Sequence, residues 1–406
     1  MSGFRTDVKE DHGADDGKSS SLHNDHLEID VKETSACHSA DQDEDEYAEI
    51  ANLSRQGYQL LKKGQSSEAI SCFREIIETD PRNNYALVGI GDSYRKKRRF
   101  QEATQYYQRC LDYYPENNYA LFGLADCYRS LKQFHRAISV WERYLKLDDR
   151  NVTVLTRVAD AYRKVKNLER SEAIYLQVLE MEADNAYALI GLGHLHYDFK
   201  NFEKALSYWM RMHDIQGDRV DIRVLTSIGN CHRKLKQFDE GSLYFEKALE
   251  KEPKNFYALF GLADCHRGMN EPHRSLNYWN RILDKDPENK VILTRAGDAY
   301  RKQGNLDEAE NYYHRALNIE YDTYAVLGLA TVNKHRGRYE DAARSLEGLL
   351  KNETRIFRIY PELMECYVQL KDQHSARDLM QRFSRIRGVH QNVQKLMQDY
   401  QRDLGI

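Results

Sequence analysis

At 406 residues the chain is longer than one compact core encloses, so it holds either several domains or a core that grows by stacking repeats. A hydrophobic content of 41% with 28 Tyr and only 6 Pro excludes disorder throughout and supplies material for a helical interior. The formal charge of -4 is unevenly spread: residues 1–46 carry 14 Asp/Glu against four Lys/Arg, a net of -10, which leaves +6 on the remainder.

Residues 1–46 are rich in Asp, Ser and His and poor in apolar side chains. Such a segment cannot bury enough surface to offset its ordering entropy, and it reads as a disordered acidic tail. It lacks the basic start and apolar stretch of a secretory signal, and no apolar run in the chain is long enough to span a bilayer. These features predict a cytoplasmic protein with no membrane partner. Seven cysteines, an odd number with no C-x-x-C pair, fit reduced and packed thiols better than disulfides or zinc.

Beyond the tail the sequence repeats every 34 residues, so that Asn84-Tyr-Ala-Leu-Val-Gly-Ile-Gly-Asp falls on Asn118-Tyr-Ala-Leu-Phe-Gly-Leu-Ala-Asp. Ten units start near Ile50, Asn84, Asn118, Val152, Ala186, Ile222, Phe256, Lys290, Thr323 and Phe357, with a two-residue insertion near Gln216 and Gly217. Position eight is small in nine of them (Gly57, Gly91, Ala125, Ala159, Gly193, Gly229, Ala263, Gly297, Ala330), as close helix approach requires, and Met364 is the exception. Position twenty is Ala, Ser or Gly throughout. Position twenty-four takes a large filler: Phe73, Tyr107, Trp141, Tyr175, Trp209, Phe245, Trp279, Tyr313, Leu346 and Met380. Pro81, Pro115, Pro253 and Pro287 share position thirty-two, where a missing N–H ends the second helix.

Small, large and proline positions coinciding at one period resemble the tetratricopeptide repeat family over about residues 50–390. The resemblance implies an all-α fold, a right-handed α-solenoid of about ten helical hairpins whose first helices line a concave groove. On this basis residues 47–390 form the superhelix. Residues 391–406, with Val393, Leu396 and Tyr400 on one face, form a C-terminal capping helix.

A second period runs beneath the first. First helices alternate between a Tyr-Ala-Leu type (Tyr119, Tyr187, Tyr257, Tyr324) and a Val-Leu-Thr type (Val154, Val224, Ile292). Position six is Gly in the former (Gly123, Gly191, Gly261) and Arg157, Ser227 or Arg295 in the latter. The resemblance implies that positions two, six, nine and twelve are among those facing the groove. Position nine holds Asp92, Asp126, Asp160, Asp264 and Asp298, and position twelve holds Arg95, Arg129, Arg163, Arg233, Arg267 and Arg301, three residues on along the same face. Unit five breaks the pattern with His194 and Tyr197, and unit six carries Asn230.

Two readings of these rows stand side by side. In one, Asp and Arg tie each hairpin to the next. In the other, Arg129, Arg163, Arg233, Arg267 and Arg301 reach carboxylates or carbonyls of an extended ligand. Arg157 and Arg295 are expected to have open space beside them, left by the neighbouring glycines, so that facing a ligand and a structural role stand level there. Tyr119, Tyr187 and Tyr257 are expected as apolar contacts or as packing between first helices.

No phosphate loop, zinc-protease helix or nucleophile elbow is present, so neither catalysis nor a cofactor is expected. His196, His232 and His266 recur at position eleven beside Cys231 and Cys265, but adjacent helical residues diverge by about 100° and cannot share one ion; no metal is expected. A net of +6 spread over the array, with Asp beside each Arg, is a poor phosphate track and leaves RNA a minor alternative. The expected function is therefore a non-catalytic scaffold or adaptor that binds a protein or peptide. The alternative is a recognition subunit for a separately encoded enzyme, since similar superhelices are found fused to glycosyltransferase domains. Polar caps favour a monomer or weak self-association, and the acidic tail is complementary to the groove arginines.

Overall fold

A computed structural model describes residues 42–352 and 356–404. The tail reading of residues 1–41 and the last two residues of the terminal helix lie outside the described residues, as do residues 353–355. Helix α1 starts at Gln42, so the last five residues of the acidic segment are helical.

All regular structure among the described residues is helical. Contacts divide the chain into two compact units that meet at Asp149 and Arg150. The first contains three hairpins: α1 (Gln42–Lys62) with α2 (Ser66–Thr79), α3 (Asn84–Lys96) with α4 (Phe100–Tyr113), and α5 (Asn118–Ser130) with α6 (Phe134–Leu145). The second contains seven. These are α7 (Val152–Lys164) with α8 (Leu168–Met181), α9 (Ala186–Asp198) with α10 (Phe202–Gln216), α11 (Ile222–Lys234) with α12 (Phe238–Lys251), and α13 (Phe256–Gly268) with α14 (Pro272–Leu283). They continue with α15 (Lys290–Lys302) and α16 (Leu306–Ile319), α17 (Thr323–His335) and α18 (Tyr339–Asn352), and α19 (Ile359–Leu370) and α20 (Gln373–Ser384), followed by α21 (Gln391–Leu404).

The boundaries follow from local chemistry. An Asn precedes most first helices and caps the exposed N–H groups: the Oδ1 of Asn83, Asn117, Asn151, Asn185, Asn255 and Asn289 each accepts from a backbone N–H of the first turn. Asp221 and Asp322 do the same for α11 and α17. At the other end the chain reverses through one left-handed residue, and seven of these are not glycine: Arg98, Lys132, Lys166, Lys200, Lys236, Asn270 and Lys371, with φ from 57° to 64°. The following N–H then donates back to the carbonyl at position eleven, as in Asn167 N to Tyr162 O at 2.9 Å and Gln237 N to His232 O at 2.9 Å, closing each first helix. The insertion is absorbed by a longer α10, a positive φ at Gly217 and a short 3-10 turn at Gly217–Arg219, after which Val220 is buried.

Small and large positions interlock in the core. Every filler at position twenty-four is buried, from Phe73 to Met380. Position twenty lies against position eight of its own hairpin. A Cβ on Gly241 would sit 3.1 Å from the Gly229 carbonyl oxygen, and where Ser replaces Ala the hydroxyl donates to that carbonyl (Ser171 to Ala159 and Ser275 to Ala263, both 2.8 Å). Met364, the exception at position eight, is buried with Leu363, Cys366, Ala376 and Met380, in a cluster that also takes in Met397 of α21.

Candidate binding face of the first helices

The Asp and Arg rows form an intramolecular ladder. In the first unit Arg95 bridges Asp92 of its own helix (3.1 Å) and Asp126 of the next first helix (3.3 Å), and Arg129 binds Asp126 (3.1 Å). The position-twenty-four ring joins in: the Tyr107 hydroxyl donates to Asp92 at 2.7 Å and accepts from Arg95 Nε at 3.3 Å. In the second unit Arg163 lies between Asp160 and Asp198, both at 2.7 Å, and Arg301 binds Asp298 (3.2 Å), which also accepts from the Tyr313 hydroxyl (2.8 Å). Unit five has no such ladder pair of its own; its His194 instead meets Trp209 edge-on at 4.9 Å.

Around Asp264 the ladder changes character. Its Oδ2 accepts from Arg233 Nη1 at 2.6 Å, while Oδ1 accepts from Arg267 Nε and Nη2 at 2.9 and 2.7 Å and from Arg295 Nη1 at 3.1 Å. Burial by itself raises this carboxyl's pKa, but Arg233, Arg267 and Arg295 outweigh it and hold it down to about 2. Arg233 meets Asn230 where other units have Asp, through Nε at 3.3 Å and Nη2 at 2.9 Å.

The glycines at position six do not leave open space, which corrects the expectation for Arg157 and Arg295. A Cβ on Gly123 would lie 2.3 Å from the Tyr107 ring, one on Gly191 2.3 Å from Tyr175 and one on Gly261 2.3 Å from Phe245, each ring belonging to the preceding hairpin. Glycine therefore admits a Phe or Tyr ring, and it lets α7 pack on α9, α11 on α13 and α15 on α17, whereas α9 to α11 and α13 to α15 approach less closely. The non-glycine side chains follow the tryptophans in sequence. Arg295 has a side chain only 10% exposed; its guanidinium lies over Phe260 (5.1 Å) and Trp279 (5.6 Å) as well as against Asp264. Arg157 is half-buried on α7.

The position-two tyrosines point the other way. Tyr187 is 71% exposed, Tyr257 43% and Tyr324 37% on α9, α13 and α17, and Tyr119 is 51% exposed on α5. The position-eleven histidines stack instead on second-helix tyrosines: His196 on Tyr208, His232 on Tyr244 and His266 on Tyr278, with ring planes within 11°. His266 Nδ1 also meets Glu271 at 2.8 Å. His196 is buried, and burial lowers its pKa against the pull of Glu172. Among the described residues no group of three or more His, Cys, Asp or Glu is placed to hold a metal ion. Among them, too, no helix is long and apolar enough to cross a membrane.

Family models described as tetratricopeptide repeat match residues 54–110, 89–152, 157–218, 222–255, 257–289 and 291–322. The chain is a tetratricopeptide repeat protein. No curated protein matches it. Solved structures similar to this tetratricopeptide repeat chain include the MamA protein, at 24% identity over 42% of this chain and 92% of that one, with a TM-score of 0.39. A tetratricopeptide repeat protein from Parabacteroides merdae is 17% identical over 70% and 99% of the two chains (TM-score 0.38). YrrB, described as a TPR protein with an unusual peptide-binding site, is 19% identical over 46% and 95% (TM-score 0.40). Repeats of this kind serve generally as protein-protein interaction scaffolds.

One set of structural residues escaped the sequence reading. Arg109, Arg143, Arg211, Arg281 and Arg315, all at position twenty-six, donate to the carbonyls of Pro81, Pro115, Ala183, Pro253 and Pro287 in the preceding hairpin, at 2.6 to 3.4 Å. Their recurrence at one position of the repeat is the signal that finds them.

Proposed function

We propose that the first-helix face of hairpins five to nine binds an extended segment of a protein partner, with Tyr187, Tyr257 and Tyr324 as apolar anchors. The supporting observation is their exposure. In these five hairpins every second first helix presents a large ring to solvent, with Val291 exposed on the intervening α15, and a Tyr offers contact area at low entropic cost. Arg267 lies on the same helix as Tyr257, about 15 Å further along its axis, and supplies a charged donor there. Tyr119 plays the corresponding part in the first unit, on the helix that also carries Arg129. The ladder arginines Arg163, Arg233 and Arg301 are mostly committed to Asp, and their role is chiefly to hold the face rigid. A cytoplasmic site of action goes with this reading.

A photo-crosslinking amino acid placed at Tyr257, and for comparison at Glu246 on the second-helix side, tests it in the native cell. Adducts to a protein from position 257, reduced in a Tyr187→Ala background and absent from position 246, support the proposal. Adducts from position 246 alone would end it. If the captured chain is an enzyme, the protein acts as its recognition subunit.

A further inference from the structure

Positions thirteen to twenty of each repeat turn the first helix into the second, and the charge of these turns is uneven along the chain. In the first unit the turns at residues 62–69, 96–103 and 130–137 carry eight Lys/Arg against two Glu, a net of +6. The seven corresponding turns of the second unit carry twelve Lys/Arg against eleven Asp/Glu, a net of +1. The excess is local to hairpins one to three. There the run from Lys96 to Arg99 leads α3 into α4, Lys62 and Lys63 follow the same path after α1, and Lys132 and Arg136 flank the third turn, all of them exposed.

These turns form one surface. Helices α1, α3 and α5 pack in succession, and the second turn is tied to the first by Lys96 Nζ, which donates to the Leu61 carbonyl, and Lys97 Nζ, which donates to the Ser67 hydroxyl, both at 2.8 Å. Both acceptors are neutral. Arg136 likewise donates to the Gln133 amide oxygen at 3.1 Å, and among the described residues the carboxylate engaged on this surface is Glu102, held by Arg99 at 2.7 Å. The ladder arginines of the same unit differ, since Arg95 lies between Asp92 and Asp126 and Arg129 binds Asp126. Unneutralised positive charge therefore sits on the turns and not beside the aspartates of the first-helix face.

Residues 1–41 precede α1 and carry ten Asp/Glu against Arg5, Lys9, Lys18 and Lys32, a net of -6. They join the fold at Gln42, and the length of α1 puts that point about 30 Å from Lys62. An extended chain of this length spans that distance several times over. Covalent attachment also presents the segment to the surface at an effective concentration of order millimolar, which no dissolved polyanion matches at cellular abundance. We infer that the acidic segment 1–41 is the occupant of the basic turn surface of hairpins one to three. Seated there it screens that surface from other polyanions and leaves the first-helix face open. The inference stands whether or not that face binds a partner.

The test is zero-length coupling of the full chain with a water-soluble carbodiimide, which joins a carboxylate to a lysine in contact with it, read by mass spectrometry. Mixing chains of heavy and light isotope separates links within one chain from links between two. Lys63 and Lys132 should couple to carboxylates of residues 1–41 about fivefold or more as often as Lys200 and Lys236, which take the same left-handed turn position as Lys132. Arg98→Gln combined with Arg136→Gln removes two charges and no lysine, and should lower both yields several-fold. Salt at about 1 M, where the screening length falls to about 3 Å, should do the same without any substitution. Arg170→Gln combined with Arg274→Gln, the same change on turns of the second unit, should leave the yields intact. Equal coupling across the turns of both units would overturn the inference, as would the absence of links from residues 1–41 or yields that neither salt nor the substitutions alter. Links confined to pairs of chains would assign the surface to a second copy and overturn it too.

Discussion

Asp264 is the residue on which three arginines depend, and its protonation has a calculable direction. Its carboxyl is held at about 2, below the usual value near 4, so the native state favours the ionised form. The resulting stability is fully present above about pH 4 and is lost as pH falls through about 2. Its size is about 2 kcal/mol. Replacing Asp264 by Asn leaves three guanidiniums without their shared acceptor, and breaking a buried pair in this way costs roughly 3–5 kcal/mol. Urea melts of the two proteins should therefore differ most near neutral pH, and the gap should narrow by about 2 kcal/mol as the solution is acidified toward pH 2. A gap that stays constant over that range would show that Asp264 is not the titrating partner of Arg233, Arg267 and Arg295.

At the scale of the helix, the turn between paired helices carries an avoidable cost. Lys166 adopts φ 64°, a backbone region that favours glycine, and Gly304 fills the equivalent place in hairpin eight with φ 80°. Lys166→Gly should stabilise the protein by about 0.5–1 kcal/mol, somewhat less than the left-handed penalty because glycine also gains freedom in the unfolded chain. Chemical denaturation measures this, and a loss of stability would mean that the stem of Lys166, whose ammonium lies 6.0 Å from the Phe199 ring, contributes more than the backbone does. The same turn shows how far sequence carries. Hairpin starts were legible because Asn caps, small residues and large fillers all recur at one period, and nine of the ten observed first helices begin at or within two residues of the expected starts; α1 begins earlier, at Gln42. Lysine at a left-handed position carries no such signal, since it looks like any solvent-facing residue. The alternation of glycine with arginine at position six was also visible, but its cause was not. Whether a missing side chain leaves a void or admits a neighbour's ring depends on residues in the preceding hairpin, and Phe245 over Gly261 shows that it admits a ring. Exposure of Tyr187 was undecidable for the same reason, because the distance between first helices is set by packing and not by the residues of one helix.

Over the second unit as a whole, the core is divided among neighbours. Trp279 and Tyr313 belong to one buried cluster, Trp209 and Phe245 to another, and the residues from Leu327 to Met397 to a third. Stability in such an array is close to a sum of hairpins and their nearest-neighbour contacts. Helix α21 gives this a direct test, since it packs only at the end, on α19 and α20, where Met397 is fully buried and Val393 and Tyr400 cover the same cluster. Removing residues 391–406 uncovers part of this cluster and forfeits about 1.5–3 kcal/mol from the methionine alone. Native-state hydrogen exchange should then quicken in α19 and α20, less in α17 and α18, and hardly at all in α9 to α12, because those helices share no contacts with the lost one. A uniform rise from α7 to α20 would instead show that the second unit unfolds as one body, and that the Asp264 cluster draws its rigidity from the far end of the chain.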